Sequence, residues 1–187
     1  MNDSAGRAPA PASTSSGPVR PVERPPQPIE AGVDIGHVHL RTADIDRVHD
    51  FYVGILGFEV IVRMPDALFV SAGGYHHHLG FNTWQSRGGS PPPTGTTGLY
   101  HVAIRYPDRV ALAGALRRLV RARWPLDGAT DHGTHEALYL RDPDQNGLEL
   151  YWDRPSEHWP LDAAGHLTFV GGPVDLQDLL AQAPDDA

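Results

Sequence analysis

Two short stretches of the chain alternate apolar and polar residues strictly. In "GHVHLR" (36–41), Val38 and Leu40 fall on one side and His37, His39 and Arg41 on the other. In "YHVAIR" (100–105), Val102 and Ile104 oppose His101, Ala103 and Arg105. A period of two is that of a half-buried strand. Each stretch is followed by apolar residues at helical spacing. In "ADIDRVHDFYVGILGF" these are Ile45, Val48, Phe51, Tyr52 and Ile55 or Leu56, with Asp44 as N-cap and Gly57 as the stop. In "DRVALAGALRRLVRARW" they are Val110, Ala113, Leu116 and Val120. Strand-like runs complete each half: "FEVIVRM", "ALFVSA" and "HHLGFNTW" in the first, then a weakly marked strand around 124–129, "EALYLRD" and "GLELYW" in the second.

The pattern is therefore a duplicated β-α-β-β-β unit. It predicts an α+β fold of two tandem βαβββ modules, about residues 33–84 and 98–155. Their strands are expected to form a curved, cup-like mixed sheet with the helices outside. "QSRGGSPPPTGTTG" (85–98) separates the modules. Residues 1–30 are rich in Pro, Ala and Ser and predict a disordered leader. The domain proper spans 31–160, and 161–187 is a tail whose amphipathic piece "VDLQDLLAQA" is expected to pack on the domain or on a partner.

Composition narrows the chemistry. The 187 residues carry a net charge of −8, so a nucleic-acid backbone is not the expected partner. The absence of cysteine excludes disulfides, thiolate metal sites and a cysteine nucleophile. No apolar run reaches the length of a membrane span, and no secretory signal is recognisable; a cytoplasmic protein is expected.

In "GLELYWD", Leu148, Leu150 and Trp152 oppose Glu149, Tyr151 and Asp153. With the apolar faces covered by helices, His37, His101 and Glu149 share the open face. Two imidazoles and a carboxylate make a metal site with open coordination positions, suited to Fe(II), with Mn, Ni or Zn as alternatives.

The His37 strand, "FYVGILGF", the His101 strand and above all "LRDPDQNGLELYWDRP" together resemble the vicinal oxygen chelate superfamily over roughly 33–155. Its members include glyoxalase I, methylmalonyl-CoA epimerases, bleomycin-resistance proteins and extradiol dioxygenases. The similarity is greatest to catechol-2,3-dioxygenase-like members, and it implies several roles. His37, His101 and Glu149 would be metal ligands. His77, in "HHLGF", would be an acid/base. His132, in "DHGTHEALYL", and Tyr139, ten residues before Glu149, would hydrogen-bond the substrate. His78 stays open as a fourth ligand of the glyoxalase type, and His135 as a rival to His132. Phe81, Trp84 and Tyr151 are candidates to line the pocket, whereas His39, His49, His158 and His166 receive no role. The implied activity is extradiol cleavage of a small aromatic diol by O2 with Fe(II), or with Mn(II) or another divalent metal. The single module pair leaves pocket walls to a homodimer partner. Alternatives are a glyoxalase- or epimerase-like lyase or isomerase, and a metal-free drug-sequestering protein.

Overall fold

The computed structural model describes residues 28–185. The expected leader lies almost wholly outside them; at its end, Val33 N–H donates to Glu30 O at 3.0 Å in a turn. The following residues, 35 onward, build both modules in the expected βαβββ order. The first comprises β1 (Val38–Arg41), α1 (Ile45–His49), β2 (Glu59–Arg63), β3 (Ala67–Ser71) and β4 (Leu79–Asn82). The second comprises β5 (Val102–Arg105), α2 (Arg109–Ala122), β6 (Gly128–Asp131), β7 (His135–Arg141) and β8 (Gly147–Asp153). The strands form two open mixed sheets rather than a continuous one, ordered β1-β4-β3-β2 and β5-β8-β7-β6-β9, where β9 is a short strand of the tail, Gly172–Pro173. The strands that follow His37 and His101, β1 and β5, are therefore outer strands, each paired on one side only and in parallel, β1 with β4 and β5 with β8.

The alternation is realised on both strands. Leu40 and Val102 are buried while His39, Arg41, Ala103 and Arg105 are exposed. Asp44 caps α1, accepting from Asp46 N–H at 2.8 Å and Arg47 N–H at 3.2 Å. After one α-turn that helix widens into a π-helical segment, Asp50–Ile55, where Leu56 N–H reaches Phe51 O at 2.9 Å. The widening buries two adjacent aromatics at once. Phe51 stacks at 4.5 Å on Trp124, and Tyr52 lies 4.5 Å from Phe81. Along α2 the buried stripe is Leu112, Ala113, Ala115, Leu116 and Leu119, turned from the expected one so that Val110 and Val120 face outward. The bulkier leucines take the sheet side because they remove more apolar area from water.

The modules meet through these helices and through the Asp-Pro-Asp-x-Asn-Gly turn between β7 and β8. Asp142 is buried and accepts four hydrogen bonds: Asp144 N at 2.9 Å, Asn146 N at 2.8 Å, Asn146 Nδ2 at 2.9 Å and the Tyr52 hydroxyl at 3.0 Å. Burial pushes its carboxyl pKa up against the pull of those donors. Asp144 takes Ala43 N–H at 3.2 Å and the Thr42 hydroxyl, so the turn also seats the entry to α1. Removing the carboxylate strands two backbone N–H groups as well as the Tyr52 hydroxyl. Asp142→Ala is expected to cost about 3 kcal/mol, and Tyr52→Phe about 1 kcal/mol, as shifts of the urea midpoint.

The tail packs on the second module. Its short strand β9 (Gly172–Pro173) pairs with β6, and α3 (Leu176–Ala181) lies on α2 with Leu179 fully buried. An ion-pair chain fastens it: Arg109 bridges Asp178 at 2.8 Å and Glu136 at 2.7 Å, and Arg154 reaches Glu136 at 2.9 Å. No helix among the described residues is long and apolar enough to cross a membrane.

Candidate functional site

Chemistry-bearing side chains gather in two clusters, one per module. In the second, Glu149 sits on β8 directly opposite Tyr139 of β7. The hairpin register explains their ten-residue separation, since the pair flanks a five-residue turn symmetrically. Glu149 is buried, and both its oxygens are engaged. Oε2 lies 3.0 Å from Nε2 of His101, the residue immediately before the neighbouring parallel strand β5. Oε1 accepts the Tyr139 hydroxyl proton at 2.9 Å and is 3.2 Å from His135 Nε2. The Tyr139 oxygen in turn lies 2.8 Å from His132 Nε2. Because the tyrosine proton goes to the carboxylate, His132 is the donor of that contact, giving a relay His132 to Tyr139 to Glu149. Burial, followed by the bond to Glu149, raises the Tyr139 pKa far above that of a free phenol, so the hydroxyl stays protonated at neutral pH.

The His132–Gly133 turn is held by the tail. Val170 N–H donates to His132 O at 3.2 Å, and Gly133 has φ of +76°. A Cβ at Gly133 would stand 2.5 Å from Val170 Cγ2 and 2.9 Å from Pro160 Cγ, so only glycine permits this approach.

The first cluster surrounds His37, immediately before β1. Its ring lies 4.5 Å from that of His77 and 6.4 Å from that of His76. The His76 and His77 Nδ1 atoms are 2.8 Å apart, and Phe69 meets His77 edge-on at 5.2 Å. Partial burial and then the neighbouring His37 and His76 imidazoles hold the His77 pKa below the ordinary histidine value. His78 turns away: its Nδ1 lies 3.3 Å from Ala72 N–H and 3.0 Å from the Ser71 hydroxyl at the end of β3. The triple histidine is thus divided, His76 and His77 toward His37 and His78 toward β3. His39 packs over Gly80, where a Cβ would meet its ring at 3.2 Å, and bonds Asn82 at 2.9 Å.

Of the sequence-derived set, the structure joins His101, Glu149, Tyr139 and His132 in one cluster and His37 with His77 in the other. Among the described residues, no hydrogen bond, ion pair or ring contact links His37 to His101 or Glu149. Phe81 is core, whereas Trp84 is exposed 5.7 Å from His39. The residue that strand patterning undervalued is His135. It opens β7, and counting by twos through Ala137 to Tyr139 sets it on the face of Glu149.

The donor chemistry suits a divalent cation. Two ligands about 2.1 Å from one octahedral ion in neighbouring positions stand roughly 3 Å apart, as His101 Nε2 and Glu149 Oε2 do. The buried His101 Nδ1 has no partner among the described residues, so no second bond fixes the tautomer of this ring, and a metal on Nε2 would take the place of the proton that nitrogen directs at Glu149 Oε2. A group of ligand atoms within 4.8 Å of one another is also found at His132, His135 and Glu149.

Comparison with known proteins fits this picture. The chain is 36% identical over 158 residues to catechol-2,3-dioxygenase of Bacillus subtilis (strain 168), covering 84% of this chain and 55% of that one. It is 30% identical over 124 residues to biphenyl-2,3-diol 1,2-dioxygenase 3 of Rhodococcus globerulus, covering 64% and 63%. The chain thus spans little more than half the length of these curated relatives. In fold it is similar to a crystal structure of a glyoxalase/dioxygenase from Nostoc punctiforme, with a TM-score of 0.56 at 19% identity over 65% of this chain and 92% of that one. The family model described as Glyoxalase/Bleomycin resistance protein/Dioxygenase superfamily matches residues 34–150. With a βαβββ duplication and that match over more than half its length, the chain belongs to the glyoxalase/bleomycin resistance protein/dioxygenase superfamily.

Proposed function

We propose that the protein is an extradiol dioxygenase that cleaves a small aromatic diol with O2, using Fe(II) held by His37, His101 and Glu149. The observation that carries this reading is the dressing of Glu149. One oxygen faces His101 at 3.0 Å, and the other ends the relay from His132 through Tyr139. The dioxygenase names of the two curated relatives support the same chemistry. Both atoms of O2 end in the product as one ring carbon–carbon bond breaks beside a hydroxyl, so no external reductant is consumed. A bound divalent metal supplies acidification of the diol and an electronic path between diol and O2. The chain supplies the rest. His77, neutral at pH 7, accepts a diol proton and returns it later. Tyr139 and His132 keep donor hydrogens beside the metal position, where charge develops on a substrate oxygen.

His37 and the His101–Glu149 pair lie in separate clusters of one chain, and this reading joins them through a second copy. β1 and β5 are both outer strands. Large apolar side chains stand exposed beside both clusters: Ile35 and Tyr75 near His37 and His77, and Leu99 and Tyr100 just before His101. A two-fold pair setting β1 of one chain along β5 of the other would cover those side chains and create two identical composite sites.

The test is anaerobic loading with Fe(II) followed by a panel of catechols and O2. Coloured ring-fission product with stoichiometric O2 uptake, lost in His101→Ala, is the expected result. Bound metal without uptake on any diol would overturn it in favour of lyase or isomerase chemistry.

A further inference from the structure

His135 has no part in the relay, yet it is among the most tightly framed side chains of the second cluster. Its ring lies flat against His132, with centroids 4.6 Å apart and planes at 25°. The edge of Tyr151 meets it at 5.5 Å. Its Nδ1 is 2.8 Å from the hydroxyl of the buried Thr134, and its carbonyl accepts His132 N–H at 2.9 Å. Only Nε2 points at Glu149, 3.2 Å from Oε1. An ionised carboxylate can only accept, so that nitrogen carries a proton and has no lone pair for a cation. The Thr134 hydroxyl then has the Nδ1 lone pair to donate into. His101 Nε2 also faces the carboxylate, at 3.0 Å, but its Nδ1 is unpartnered, so no second bond holds that ring in one tautomer.

The two Glu149 oxygens are thereby made unequal. Oε1 takes two protein donors, Tyr139 and His135, and Oε2 faces His101 alone. We propose that His135 is a positioning residue: it holds Oε1 back so that Glu149 offers a single oxygen, Oε2, to the metal. This rests on the reading of His101 and Glu149 as ligands. Its consequence follows from counting positions on an octahedral ion. Two imidazoles and one carboxylate oxygen leave three open, enough for both oxygens of a diol and for O2. A carboxylate bound through both oxygens leaves two, and the diol and O2 would compete.

Co(II), whose visible spectrum reports coordination number, is the probe, titrated anaerobically into the full chain. His135→Leu keeps the bulk but removes the donor, and it is expected to weaken Co(II) binding about 10–100-fold and to change the visible bands. His135→Gln, with an amide donor near the place of Nε2, is expected to recover both the affinity and the wild-type spectrum. Melting temperatures of the metal-free variants separate this from misfolding: a purely structural residue would lower them and would not be rescued by glutamine. Unchanged affinity and spectrum in His135→Leu would overturn the proposal, as would equal loss in both variants. If both His135 variants lose Co(II) entirely while His101→Ala retains it, His135 is itself a ligand, with His132 and Glu149. If the wild-type chain takes up no Co(II), or retains it fully in both His101→Ala and Glu149→Ala, the underlying metal reading fails.

Discussion

Mixing His37→Ala and Glu149→Ala chains, each inactive alone, is expected to restore about a quarter of the wild-type ring-cleaving activity. The fraction follows from symmetry. Random pairing makes half the dimers mixed, and in each mixed dimer one site receives both defects while the other receives neither. Separation of the His37–His77 and His101–Glu149 clusters within one chain is what makes this outcome specific. If one chain supplied all three ligands, every site in the mixture would lack one, and activity would stay at background. The same mixture should recover half of the wild-type metal sites expected per mixed dimer, readable by metal analysis independently of turnover. Coexpression with two affinity tags isolates the mixed species and removes slow subunit exchange as an explanation for silence. His37→Ala mixed with His77→Ala is the internal control: both defects lie in the same cluster, so no pairing rebuilds an intact site.

The second large effect concerns the proton carrier. His77→Ala is expected to slow turnover of the metal-loaded enzyme by about 10²–10⁴-fold while leaving metal content unchanged, because it removes a base and not a ligand. The sign of the pH dependence follows from its surroundings. Partial burial and the His37 and His76 rings lower the pKa, so the neutral form persists to more acid pH than for free imidazole. The acid limb of kcat/KM should therefore fall below the ordinary histidine value and disappear in the variant. An unchanged limb would assign it to another group. Loss of metal in His77→Ala would instead make that residue a ligand and remove His37 from its assigned company. His78→Ala is expected to leave this limb in place, since its ring is committed to Ser71 and Ala72.

Much of the architecture is legible in the sequence. Period-two alternation marked β1 and β5, and the matching histidines exposed the duplication, because a repeated local pattern reports a repeated local structure. Asp44 as a cap and Gly57 as a stop depended on their own backbone neighbours and were readable for the same reason. The π-widening of the first helix was not, since it answers to Trp124 and Asp142, each far along the chain. Nor was the buried stripe of α2, where several overlapping faces satisfy a helical period and the sheet selects one.

The sequence by itself determined the residue types of the site, the strands that carry them and the cross-strand spacing of Tyr139 and Glu149, all consequences of local periodicity. Tertiary structure decided which two of three adjacent histidines meet His37, that the His135 ring reaches Glu149 Oε1 while stacking on His132, and that the chain forms two sheets. Those outcomes depend on contacts between segments remote in sequence, where packing chooses among arrangements that local patterns leave equally acceptable.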